Sequence, residues 1–234
     1  MTKRGVCVSS YKKHVLFSLL FTIPFFQEVF LLALAVVGTS IIDIDHNIKR
    51  KNRNIILIVG LLLSLILYML KLPFLIGILL VLIVLILYFS KHRGFTHSLF
   101  GIFVLSILLT AFVLGAYFLL KDFNVDNKIT LMIIAVFIGV LSLNKRIMPI
   151  YIILAVLGIY FLPVANITLY GTFLALFLGF ISHLTLDLLT PKGLELFRPL
   201  SSRKCKKKYG VLFLVIWGIF VFIRLYTYLK VILY

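Results

Sequence analysis

The chain has 234 residues, 63% of them hydrophobic, and a mean hydropathy of +1.19. No water-soluble domain of this size needs so much apolar surface, so composition excludes a soluble globular enzyme and predicts an all-α, polytopic integral membrane bundle. The formal charge of +17 would suit nucleic acid or anionic lipid, but lysine and arginine also mark the loops on one side of a membrane protein.

Apolar runs fall at 15–26, 29–42, 55–70, 73–90, 97–120, 129–143, 147–163, 168–190 and 210–233. They predict about seven to nine membrane-embedded helices, since roughly 20 residues cross a 30 Å hydrocarbon core. The first two runs are short, and together they read as a bent hairpin broken near Pro24 and Gln27-Glu28. Lys71-Leu72-Pro73 turns a second hairpin. There is no internal repeat and no low-complexity tract, so residues 1–234 read as a single membrane-embedded domain, with 191–209 as a basic cytoplasmic loop before the last helix. The N-terminus is basic but lacks a small-residue cleavage site, and does not read as a cleavable signal. Cys7 and Cys205 have no metal-type spacing, and no disulfide framework is expected.

Crossing alternately, the chain leaves segments 1–14, 43–54, 91–96, 144–146 and 191–209 on one side. They hold 19 of the 24 lysines and arginines, against three (Lys71, Lys121 and Lys128) in the opposite loops. This bias predicts that the first group is cytoplasmic. The same alternation puts all five histidines near that face, although histidine played no part in assigning it.

Those histidines lie mostly in short polar motifs, and ionisable groups at membrane depth are costly unless used. In His183-Leu-Thr-Leu-Asp187 the imidazole and carboxylate share one helical face. Thr190-Pro191-Lys-Gly193 then ends the helix. Taken alone, the pair could equally be a hydrogen-bonded lock between helices. Asp43-Ile-Asp45-His46 offers hard oxygen and borderline nitrogen ligands, suited to Zn²⁺, Mn²⁺ or Fe²⁺. Two carboxylates at a helix C-terminus oppose its dipole, which counts against a purely structural role. His92-Arg93-Gly94-Phe95-Thr96-His97-Ser98 brings two imidazoles and a guanidinium able to clamp an anion. Thr96 and Ser98 are placed to orient those ligands. His14 opens the first apolar run and alone would read as an interfacial residue.

The order His14-x-Leu-Phe-Ser, Asp-Ile-Asp-His, HRGFTHS, then His-x3-Asp-x2-Thr-Pro-x-Gly resembles the YdjM-type family, described as membrane-bound metal-dependent hydrolases. The likeness runs from about residue 14 to 200, and Phe197-Arg198-Pro199 with its basic tail is similar to the segment that follows the last motif. One position departs: many members have proline before the first aspartate, where this chain has Ile42. The resemblance implies a metal site of His14, Asp43, Asp45, His46, His92, His97, His183 and Asp187. The histidine-rich helices are also similar, more distantly, to the zinc-dependent phospholipase C and single-strand nuclease superfamily, which favours phosphoester substrates.

Eight candidate ligands exceed the four of a single zinc, so two or more divalent ions are expected, zinc first, with manganese and iron as alternatives. The expected activity is hydrolysis of a phosphoester of a lipid or another membrane-proximal substrate. Arg93 would bind phosphate oxygens, and Asp45 or Asp187 would serve as ligand or base. Neutral imidazoles are needed as ligands, so activity should fall below roughly pH 6.5. The expected partners are membrane lipids and an anionic lipid or phosphoester substrate. Arg203-Lys204-Cys205-Lys206-Lys207-Lys208 could attract such lipids. Nothing in the loops interleaves aromatic and basic residues as nucleic-acid binding does. A metal transporter or sensor, and a non-catalytic membrane scaffold, are the alternatives.

Overall fold

The computed structural model describes residues 4–42, 50–90 and 94–233, and side chains within 11–42, 54–90, 94–227 and 230. Among them are nine α-helices: α1 Arg4–Thr22, α2 Val29–Ile41, α3 Arg50–Met69, α4 Leu75–Phe89, α5 Leu99–Asp122, α6 Asn127–Ser142, α7 Met148–Phe161, α8 Leu169–Leu188 and α9 Lys207–Leu233. A short 3-10 turn, Phe95–His97, precedes α5. The described residues form no strand beyond one isolated antiparallel bridge, Leu194 to Cys205.

All nine apolar runs are helices, and the expected breaks fall between them. The main difference lies in α1, which begins at Arg4 rather than near residue 15. His14 therefore sits well inside a helix, not at its start. The last helix begins at Lys207, so its first turn absorbs part of the basic stretch.

Polar side chains fix several helix starts. Ser98 accepts from Gly101 N at 3.0 Å, Asp126 from Lys128 N at 2.8 Å, and Thr168 from Gly171 N at 3.1 Å. α3 ends in paired bonds from Leu72 N to Leu67 O and from Lys71 N to Tyr68 O. This is a Schellman motif, and it holds Lys71 at φ +57°.

Among the described residues, α5, α8 and the apolar part of α9 are the helices long and apolar enough to cross a membrane. At 1.5 Å per residue the 13 residues of α2 reach only about 20 Å. α2 is nonetheless the centre of the bundle, buried from Ala33 to Ile42. It packs most extensively on α8 and also meets α1, α6 and α7. α5 lies against α4, α6 and α8, the α3–α4 hairpin hangs on it through α4, and α9 covers α8 with most of its surface facing outward.

Small residues set the α2–α8 spacing. A Cβ at Gly38 would come within 2.6 Å of Leu176 O, and one at Gly179 would fall on Ala35 O. Backbone therefore meets backbone, as in membrane interfaces built on small residues.

Polar contacts at the two ends agree with the alternation read from charge. At one end Tyr117 Oη donates to Asn127 Oδ1 (2.8 Å), and Lys128 Nζ donates to Tyr160 O (2.7 Å). At the other, Asn144 N donates to Tyr11 Oη (3.2 Å), joining the α6–α7 turn to α1 one turn before His14.

Candidate metal centre

α8 carries His183 and Asp187 one turn apart, and both are buried, at 1% and 6% exposure. Thr190 Oγ1 donates to Asp187 O at 2.6 Å and closes the helix immediately afterwards. Pro191 follows, and Gly193 adopts φ +65°, as the motif predicts.

The close α2–α8 packing delivers Thr39 O to His183 Nδ1 at 2.8 Å. A carbonyl can only accept, so Nδ1 carries a proton, and in the neutral ring Nε2 presents its lone pair to the interior. That nitrogen lies 3.6 Å from Asp187 Oδ2. A backbone carbonyl fixing tautomer and ring angle in this way is a common support for metal-ligating histidine.

α1 supplies His14, whose ring stacks on His183 with centroids 4.1 Å apart and planes 18° from parallel. Its Nε2 is 3.8 Å from Asp187 Oδ1. His97 comes from the 3-10 turn and is fully buried. Its Nε2 is 3.7 Å from Asp187 Oδ2, and its ring meets His183 edge-on at 5.5 Å.

Thr96 Oγ1 lies 3.3 Å from His97 Nδ1, the orienting role expected of it. Ser98 differs from expectation. It donates to Phe95 O and accepts from Gly101 N, so it caps α5 and anchors the turn without touching a ligand. The turn is held from the far side by Leu99 N, which donates to Leu196 O at 2.9 Å. Leu194 and Leu196 are buried, so part of the segment after α8 is packed structure rather than open loop.

One carboxylate thus faces three imidazoles on three separate elements. His14, His183 and Asp187 can each offer a ligand atom within 4.8 Å of the others. Two ligands about 2.0–2.1 Å from one tetrahedral ion stand about 3.4 Å apart, close to the separations here. The donor set also fits on electrostatic grounds. A carboxylate buried among imidazoles needs a positive charge beside it, either a metal ion held by neutral rings or a proton that makes one ring an imidazolium.

The sequence of the YdjM inner membrane protein family matches residues 11–233. The chain belongs to that family. No curated protein and no solved structure matches it. Membership in the YdjM inner membrane protein family, together with the membrane-capable helices, establishes a membrane protein.

Of the eight ligands implied by the YdjM resemblance, His14, His97, His183 and Asp187 are brought together. Asp43, Asp45, His46 and His92, with Arg93, lie outside the described residues. Along the chain, the described residues nearest to them are Ile42, three positions after Thr39, and Gly94, three before His97. Sequence reasoning missed Thr39, because a backbone carbonyl leaves no residue signature. The small-residue run Gly38-Thr39-Ser40 was the available sign of a close helix contact.

Proposed function

We propose that this protein is a membrane-bound metal-dependent hydrolase acting on a phosphoester of a lipid or another membrane-proximal substrate. The observation that carries this reading is the convergence of three imidazoles on Asp187, with the His183 lone pair turned inward by Thr39 O. His14, His183 and Asp187 would hold a divalent ion, zinc first, with manganese or iron as alternatives. His97 faces the same carboxylate from another side, as a further donor or as the link to a second ion. Such an ion supplies Lewis acidity, polarising a phosphoryl oxygen and acidifying water.

Asp187 has imidazoles on both oxygens, which suits a ligand better than a proton acceptor. That leaves Asp45 as the candidate base. Arg93 would grip two non-bridging phosphate oxygens. The charge bias favours a cytoplasmic site, level with lipid head groups. A cluster gathered at one end of the bundle favours an enzyme over a transporter, whose polar sites usually lie at mid-depth.

The test is elemental analysis of the detergent-purified protein beside a His97→Ala/His183→Ala variant. About two equivalents of zinc, manganese or iron are expected in the wild type, with loss from a folded variant. Hydrolysis of phospholipids and polyprenyl phosphates, followed through the phosphorylated or free product each releases, should track the metal. Wild type that stays empty after reconstitution with each ion would leave the His–Asp cluster as a structural lock. Bound metal without hydrolysis of any phosphoester would favour a sensor or transporter.

A further inference from the structure

We propose that the groove between α1, α2 and α7 holds one acyl chain of an anionic phospholipid, its phosphate seated between Lys12 and the Lys145–Arg146 pair. The inference is independent of the hydrolase reading.

The groove encloses about 430 Å³, within the range of specific ligand sites, which is about 300–1,000 Å³. Leu16 and Leu19 of α1, Leu32 of α2, and Ile150 and Leu154 of α7 form its walls. Tyr151 also borders it, but its hydroxyl donates to Ala135 O at 3.3 Å, so only the ring is offered. A three-sided apolar groove facing a bilayer is filled by hydrocarbon, because nothing inside can satisfy water.

The mouth decides the head group. Lys12 lines the groove itself. The bond from Asn144 N to Tyr11 Oη holds the α6–α7 turn beside it, and Lys145 and Arg146, the next two residues, are exposed. Segments 11–19 and 144–155 contain no acidic residue. Three cations above an apolar slot match a phosphate above a chain, and a net negative lipid is favoured over a zwitterionic one. α1 is the shared wall: Val15 faces the groove while the neighbouring His14 faces Asp187. The lipid would therefore brace the helix that carries His14.

The experiment titrates the full-length, detergent-purified protein with phosphatidylglycerol and phosphatidylcholine of identical chains, counting bound lipid by native mass spectrometry. One phosphatidylglycerol should be held about tenfold more tightly than phosphatidylcholine. Lys12→Gln/Lys145→Gln/Arg146→Gln should remove that preference, whereas Lys206→Gln/Lys207→Gln/Lys208→Gln should keep it. Leu16→Trp/Leu154→Trp should lose the tight lipid whatever its head group. Those two leucines are 61% and 63% exposed, so indoles there fill the groove without disturbing the core. Equal affinity for the two lipids in the wild type would overturn the proposal. So would undiminished phosphatidylglycerol binding by the tryptophan variant, or a preference that follows Lys206–Lys208.

Discussion

Asp187 gathers three imidazoles about a carboxylate that is 6% exposed, and each histidine arrives from a different part of the chain. Protons and a bound metal ion would compete there for the same nitrogen lone pairs. A histidine ligand must be neutral, so protonation releases the ion as pH falls, and binding returns as pH rises. Metal affinity should therefore be full near pH 7.5 and drop at least tenfold by about pH 5.5, one unit below the ordinary imidazole value. Competition with a colorimetric chelator across that range measures it, and a flat profile would argue against imidazole ligation. The spacing of His183 and Asp187 already places both on one helical face, so this half of the cluster is legible in the sequence. The inward lone pair of His183 is not, because Thr39 O, which fixes it, belongs to a residue 144 positions away.

At the scale of elements, the site depends on how closely α2 approaches α8. Gly179→Val should push the helices apart, destabilise the fold by about 1–3 kcal/mol through overpacking, and weaken metal binding by moving His183 away from Thr39 O. Thermal unfolding together with metal content checks both effects; an unchanged melting temperature would mean that the helices do not pack so tightly. The α3–α4 hairpin makes an opposite prediction. Lys71 occupies a left-handed conformation at φ +57°, which costs a non-glycine residue about 1 kcal/mol. Lys71→Gly should raise stability by up to about 1 kcal/mol, with metal content unchanged, because the turn lies at the end of the bundle away from the cluster. The hairpin itself is readable from Lys71-Leu72-Pro73, whereas the extension of α1 back to Arg4 is not. Residues 4–14 are too polar to register as an apolar run, yet they continue the helix that presents Tyr11 and His14 to the core.

At the scale of the whole molecule, most of the described lysines and arginines belong to segments at the end where the cluster forms. With the free cysteine Cys205 buried and both native cysteines replaced, single cysteines at Lys145 and Lys128 should label from opposite sides of the membrane. The cytoplasmic reading expects Lys145 to react only after the membrane is opened and Lys128 to react in intact cells; the reverse pattern would move the site to the other face. Hydropathy alone determined that this is an all-helical membrane protein, because a chain with this much apolar surface has few other ways to satisfy its backbone in lipid. The motifs alone pointed to the family and to the residues on which the candidate chemistry rests. Only the tertiary structure decided that His14, His97 and His183 share the Asp187 carboxylate, and that a backbone carbonyl orients the His183 ring. Sequence spacing carries contacts along one helix, but the approach of α1, α2 and α8 is set by glycines meeting backbone and by side-chain packing across many turns, which no local pattern records.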